Sequence, residues 1–275
     1  RITAMVAGGQ ASGKGSSVRI LEKEIESRGI NWLDFVRINT DSYKPLVLRP
    51  GSVDKFQYSQ LTQTEASIIH QKLFSKLCLM AQNDKAPHVL VDQVFVGEDK
   101  LEYAKINSGQ AIVAVVSTEV TTAIERAFQR GMGANPPELG RFEDTESILR
   151  CHKRVAEQLP HILAKFVGSN ATARILDNNV IFGAAPDCAA MIFLGADDKR
   201  IVVLSKNAMK DFLRKLFINE KARGVAEVYP PGLSISDEDI TKYFSTVKIN
   251  VEYEPRTEVS ASQHTSSSTI DRGPR

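Results

Sequence analysis

A short apolar run, ITAMVA (2–7), leads straight into AGGQASGKGSS (7–17), and this junction constrains the fold more than any other part of the chain. Gly8, four residues, then Gly13-Lys14 is the spacing of a phosphate-binding loop, which works only between a strand and a helix. In that setting successive backbone N–H groups form an anion-binding nest and the helix N-terminus adds partial positive charge. Lys14 can then reach the terminal phosphates. Residues 16–28 supply the helix, with Val18, Leu21 and Ile25 on one face and Gly29 as its stop. The residues expected to line a nucleotide are Gly8, Gly9, Gln10, Ala11, Ser12, Gly13, Lys14, Gly15, Ser16 and Ser17. Gly15 stands where a hydroxyl usually follows the lysine, so Ser16 is the expected Mg²⁺ ligand from this loop.

The rest of the chain continues the alternation. FVRIN (35–39), HVLVDQV (88–94), AIVAVVS (111–117), ARILDN (173–178) and AAMIFLG (189–195) read as strands. Helices are expected over 59–82, 98–107, 119–130, 145–166 and 205–221, with Pro160 kinking the fourth of these. KRIVVLS (199–205) reads as a hairpin partner of the preceding strand. The pattern predicts an α/β fold with a mostly parallel sheet flanked by helices. Residues 45–58 and 131–144 lack a period, and the second is expected to act as a lid.

After about residue 222 the character changes. A Pro-Pro turn, a capped helix from Ser236 and an alternating strand at 247–253 suggest a short C-terminal α/β extension over 223–254. Residues 255–275 are rich in Ser and Thr and read as a disordered tail, either a linker or a secretion signal.

Composition excludes some classes. A net charge of +2 gives no reason to expect nucleic acid. No stretch approaches the roughly 20 apolar residues of a membrane span. Cys78, Cys151 and Cys188 are scattered, which argues against a disulfide framework or a metal site and suits a reducing cytosol. The chain begins at Arg1 without a secretory signal pattern, as an excised fragment would.

Several charged residues fall where a nucleotide site would need them. Asp41 and Lys44 follow the second strand in NTDSYK, at the carboxyl end where α/β sheets bind ligands. A carboxylate there can take the proton from a substrate hydroxyl. Asp92 ends the third strand, where it can hold Mg²⁺ or contact substrate. Arg126 and Arg130 share a helix face and Arg141 lies in the irregular stretch after it, a grouping suited to a transferring phosphoryl group. Lys206, Lys210, Arg214 and Lys215 read as a solvated basic face, with an acidic partner or anionic lipid as the alternative. His70, His88, His152 and His161 show no metal-ligand spacing and carry no expected role.

The order of the P-loop, INTDSYK, TEAS, VLVDQ, IERAFQRG, GR and ILDNN resembles the zeta toxin family of P-loop kinases over roughly residues 1–215. The resemblance implies a kinase domain over 1–222, ATP and Mg²⁺ as cofactors, and transfer of the γ-phosphate to a hydroxyl of UDP-N-acetylglucosamine or a related nucleotide-linked molecule in a toxin or effector-like role. It implies Asp41 as general base, Lys14 as P-loop lysine and Arg126 and Arg141 as phosphate clamps, with Glu65 and Asp92 on the sugar substrate beside Lys44 and Gln93. It also implies an antitoxin-like inhibitory protein partner, with action in the bacterial cytoplasm, or in a host cytosol for a secreted effector. This chain has Asp92 where the family's glutamate is expected and Gln93 where a small residue is usual. A nucleotide or NAD kinase on the same fold, and a nucleotide-binding interaction protein, are the alternative readings.

Overall fold

The computed structural model describes residues 1–47, 62–83, 85–94, 97–107, 109–132, 143–181 and 184–254. The expected lid residues 133–142 with Arg141, most of the aperiodic stretch 45–58 and the tail 255–275 lie outside them.

Strand β1 (Ile2–Gly8) is buried along its whole length. Ile2, Ala4 and Val6 face one side and Met5 and Ala7 the other, so both faces of the sheet must be covered. Helix α1 (Lys14–Ser27) covers the first side through Val18, Leu21 and Ile25. β2 (Phe35–Ile38), α2 (Gln63–Gln82), β3 (His88–Gln93), α3 (Glu98–Asn107), β4 (Gln110–Ser117), α4 (Val120–Gly131) and α5 (Thr145–Phe166) follow. β5 (Ala171–Asp177), β6 (Asp187–Leu194), β7 (Lys199–Val203), α6 (Lys206–Arg214), α7 (Asp237–Ser245) and β8 (Asn250–Tyr253) complete the order.

One eight-stranded sheet results, ordered β2-β3-β1-β4-β5-β6-β7-β8. Every neighbouring pair is parallel except those that β6 makes with β5 and β7. The expected mostly parallel sheet is therefore present, with β6–β7 as the expected hairpin. The chain leaves β1 toward β2 on one side and later returns to build β4 on the other. The carboxyl end of β1 thus sits at the point where connections diverge, the place where such sheets bind ligands. Among the described residues no helix is long and apolar enough to cross a membrane.

The C-terminal stretch adds to this sheet. β8 pairs with β7, and Ile240, Phe244, Val247 and Ile249 join the main apolar core. Its strand is shorter than 247–253 because Lys248 adopts a left-handed φ of 55°, which interrupts extended backbone. The helix expected over 205–221 ends at Arg214 and becomes a 3₁₀ turn over Lys215–Phe217, after which Ile218 enters a small core between α4 and α5. The basic face expected there is largely neutralised by neighbours. Lys206 and Lys210 pair with Asp237 at 2.6 and 2.7 Å, and Arg214 stacks on Tyr229. Lys215 is not solvated at all; it is 2% exposed.

Pro160 lies inside α5, which continues through it to Phe166. Proline has no N–H to give the Ala156 carbonyl. The hydroxyl of Tyr243, on α7, donates to that carbonyl instead.

Candidate active site

The loop between β1 and α1 is shaped by two left-handed residues, Ala11 at φ 57° and Gly13 at φ 84°. Gly13 caps α1 without a side-chain hydrogen bond, and the first turn carries no acid, so its free N–H groups stay available to an anion. The loop is tightly walled. A Cβ on Gly13 would lie 2.0 Å from Asn178 Nδ2, and one on Gly9 would lie 2.3 Å from the His152 ring.

Its carbonyls are held from behind. Ser12 O accepts from Thr118 Oγ1 at 2.8 Å and from Asn178 Nδ2 at 2.7 Å. His152 Nε2 lies 2.9 Å from Gln10 O, and Gln10 Nε2 donates to Glu143 at 3.0 Å. Burial, with the charges of Lys215 and Lys14 nearby, lowers the His152 pKa to about 3, so the ring is neutral and its Nε2–H donates to Gln10. Lys14 Nζ spans the loop, donating to Gly8 O and Gly9 O at 3.1 Å each. Burial pushes the Lys14 pKa below that of an ordinary lysine, opposed by the charges of Asp92 and Asp41 and reinforced by Arg130.

The acids lie beyond the ends of β2 and β3. Asn39 Oδ1 accepts from Asp41 N at 2.9 Å and starts the 3₁₀ turn Thr40–Tyr43. Lys44, 4% exposed, meets Asp41 Oδ1 at 2.7 Å and fixes the direction of a half-exposed carboxylate. Asp92 is buried, and its Oδ2 accepts from Arg37 and, at 3.0 Å, from Asn39. Its Oδ1 is buried without a hydrogen-bond partner. Gln93 Nε2 donates to His70 Nε2 at 3.1 Å, and His70 Nδ1 lies 3.5 Å from Thr40 Oγ1. His70 therefore connects the Asp41 turn to the strand end that bears Asp92.

Lys14, Asp41, Lys44 and Asp92 thus gather at one end of the sheet, with Arg130 close enough to affect Lys14. Arg126 flanks the loop: its Nη1 would lie 3.7 Å from a Cβ on Gly13. Its Nη2 donates to Asn178 O and Val180 O at 3.0 Å each, and burial lowers its pKa. Glu65 is exposed in the first turn of α2. Arg141 lies outside the described residues.

Among the described residues no cluster of three or more His, Cys, Asp or Glu is arranged to hold a metal. The residues fit Mg²⁺ held mainly by a nucleotide's phosphates, a common arrangement for this ion. The unpartnered Asp92 Oδ1 is a suitable oxygen donor, and Ser16 is exposed in the first turn of α1. Ser17 Oγ is buried without a partner. A Cβ on Gly15 would meet nothing within 4 Å, so the space for the usual hydroxyl is open.

Sequence reasoning missed Arg37, Asn39, Thr118, Asn178, His70 and His152 as site components. For His152 a signal existed: it sits on the buried stripe of α5 beside Ile148, Cys151 and Val155, where a polar ring needs a partner. His70, likewise buried, lies on α2 with Ala66 and Phe74.

Among solved structures, a chain of the AvrRxo1-ORF1:AvrRxo1-ORF2 complex with sulphate ions is similar at 13% identity and TM-score 0.56, covering 90% of this chain and 75% of that one. The same complex with ATP gives 13% identity and TM-score 0.54 over the same shares. The PezAT toxin–antitoxin system of Streptococcus pneumoniae gives 16% identity and TM-score 0.48 over 90% of this chain and 86% of that one. No curated protein sequence matches. The similarity to AvrRxo1 shows a shared fold, the P-loop kinase architecture. The family model for Zeta toxin matches residues 2–182, well over half of the length, and the chain belongs to that family.

Proposed function

We propose that this protein transfers the γ-phosphate of ATP to a hydroxyl of a nucleotide-linked small molecule, of the UDP-N-acetylglucosamine type. The convergence of Lys14, Asp41 and Asp92 at the carboxyl end of β1 carries this reading. A helix start without a side-chain cap, beside a lysine, suits a polyphosphate. A carboxylate near enough for its charge to act on Lys14 suits an alcohol acceptor, because a phosphate acceptor needs no base. An ATP complex of the AvrRxo1 neighbour lends support to the nucleotide.

In this mechanism Lys14 leaves the Gly8 and Gly9 carbonyls for the β- and γ-phosphates. Asp41, oriented by Lys44, accepts the proton as the acceptor oxygen forms its bond to phosphorus and the bond to the ADP oxygen breaks. Arg130, Arg126 and Arg141 are assigned to the transferring phosphoryl group, and Glu65, Lys44 and Gln93 to the acceptor. Ser16 and Asp92 would hold Mg²⁺, whose charge neutralises the phosphates when bound. A protein that covers the nucleotide site is the natural regulator, and the AvrRxo1 neighbour is itself a two-component complex.

The test is mass spectrometry of products with ATP, Mg²⁺ and a panel of UDP-sugars, NAD and nucleoside monophosphates. Gain of one phosphoryl group on a UDP-sugar, absent in Lys14→Ala, is the expected result. Phosphorylation of NAD or a monophosphate alone would replace the acceptor assignment, and no transfer to any of them would overturn it.

A further inference from the structure

A buried cation lies behind the nucleotide loop, and the proposed transfer does not use it. Lys215 comes from the 3₁₀ turn after α6, beyond the family-matched residues 2–182. Its Nζ donates to Ser117 Oγ at 2.7 Å, at the carboxyl end of β4. Among the described residues no carboxylate reaches it at ion-pair distance. Besides that hydroxyl the ammonium has only the face of the Phe212 ring, 5.9 Å away, among the described residues. An interior ammonium so sparsely partnered is costly, and core packing alone would be served better by an apolar side chain.

Two short routes run from Lys215 to the loop. The residue after Ser117 is Thr118, whose hydroxyl holds Ser12 O. His152, whose ring holds Gln10 O, lies within the field of Lys215. We infer that Lys215 is a positioning residue of the nucleotide loop, locking the end of β4 and setting a positive charge behind the backbone that receives the phosphates. This rests on the phosphate-binding reading of the loop.

The charge is titratable. Burial pulls the Lys215 pKa down to about 8, and the more distant carboxylates of Glu119, Asp177 and Asp211 limit the fall. Those acids face it from the start of α4, from β5 and from α6; His152 of α5 and then Lys14 are the nearby bases. Tyr229 donates to Glu119 at 3.5 Å. The ammonium form is present below about pH 8 and lost above it.

ATP binding by the full chain, measured by calorimetry from pH 7 to 9.5, tests this, because ATP is fully ionised over most of that range. Affinity of the natural protein should fall about fivefold through the Lys215 titration. Lys215→Met should show the weakened affinity throughout with no alkaline fall, and Lys215→Arg should keep the strong affinity without the fall. A fall of the same size in Lys215→Met would assign it to Lys14 and overturn the inference, as would a flat profile in the natural protein. Ser117→Ala covers the case in which Lys215→Met does not fold. Removing the acceptor should move the midpoint to lower pH, and an unmoved midpoint would overturn the role. No ATP binding at any pH would instead overturn the nucleotide reading and this inference with it.

Discussion

The hydroxyl of Tyr243 donates to the carbonyl of Ala156, the acceptor that Pro160 leaves without its helical donor. A helix-breaking residue is thereby accommodated in the middle of α5, and α7 is anchored to the core. Tyr243→Phe keeps the ring and leaves the carbonyl buried and unpaired, a loss of about 1–3 kcal/mol. Urea denaturation should show that destabilisation, with ATP affinity unchanged below the transition.

Gly9 faces the His152 ring so closely that a Cβ would lie 2.3 Å from it. Neither can yield, since the ring is buried and holds Gln10 O. Gly9→Ala should weaken ATP binding by tenfold or more, on the order of 1.4 kcal/mol or above. Calorimetry reads the affinity, and an unchanged far-ultraviolet spectrum would show that the sheet persists.

His152 also sets an acid limit on stability. Its folded pKa, about 3, lies below the ordinary value of 6.5, so the unfolded chain binds a proton that the folded chain refuses. Stability is therefore present above pH 6.5 and falls as the pH drops toward 3. The cost at pH 4.5 is about 2–3 kcal/mol for this group alone. His152→Gln, which keeps an N–H for the Gln10 carbonyl, should flatten that part of the curve. Denaturation midpoints at pH 7 and 4.5 for the two proteins check it.

Asp41→Asn should reduce turnover by about a hundredfold or more while ATP binding stays within a factor of a few. Single-turnover kinetics alongside calorimetry separates the two effects, and full turnover in the variant would remove Asp41 as the base.

A side chain at position 15 would find nothing within 4 Å of its Cβ, so Gly15→Ser adds the missing hydroxyl without a clash. Mg²⁺ should bind the ATP complex several-fold more tightly in this variant. Ser16→Ala should weaken it if Ser16 supplies the hydroxyl in the natural protein. Titration of Mn²⁺ into each ATP complex, followed by electron paramagnetic resonance, measures the difference.

Local spacing along the chain was enough for the strand–loop–helix at residues 2–27, for the alternation that makes the sheet mostly parallel, and for the placement of Asp41 and Asp92 at strand ends. Apolar periodicity, glycine at a left-handed position, and the rule that parallel strands deliver their ends to one edge are all short-range signals. What stands behind the loop came only with the packed chain. Thr118 and Asn178 are 106 and 166 residues away from Ser12, whose carbonyl they hold, and His152 is 142 residues from Gln10. Each looks ordinary in its own segment, as does Lys215: a strand-end hydroxyl, a turn amide, a helical histidine and a lysine in a basic run. The side-by-side order of β1, β4 and β5, and the entry of residues 215–218 beside α5, bring them within reach. Buried polar groups must find partners wherever the fold places them, and no spacing along the chain records that demand.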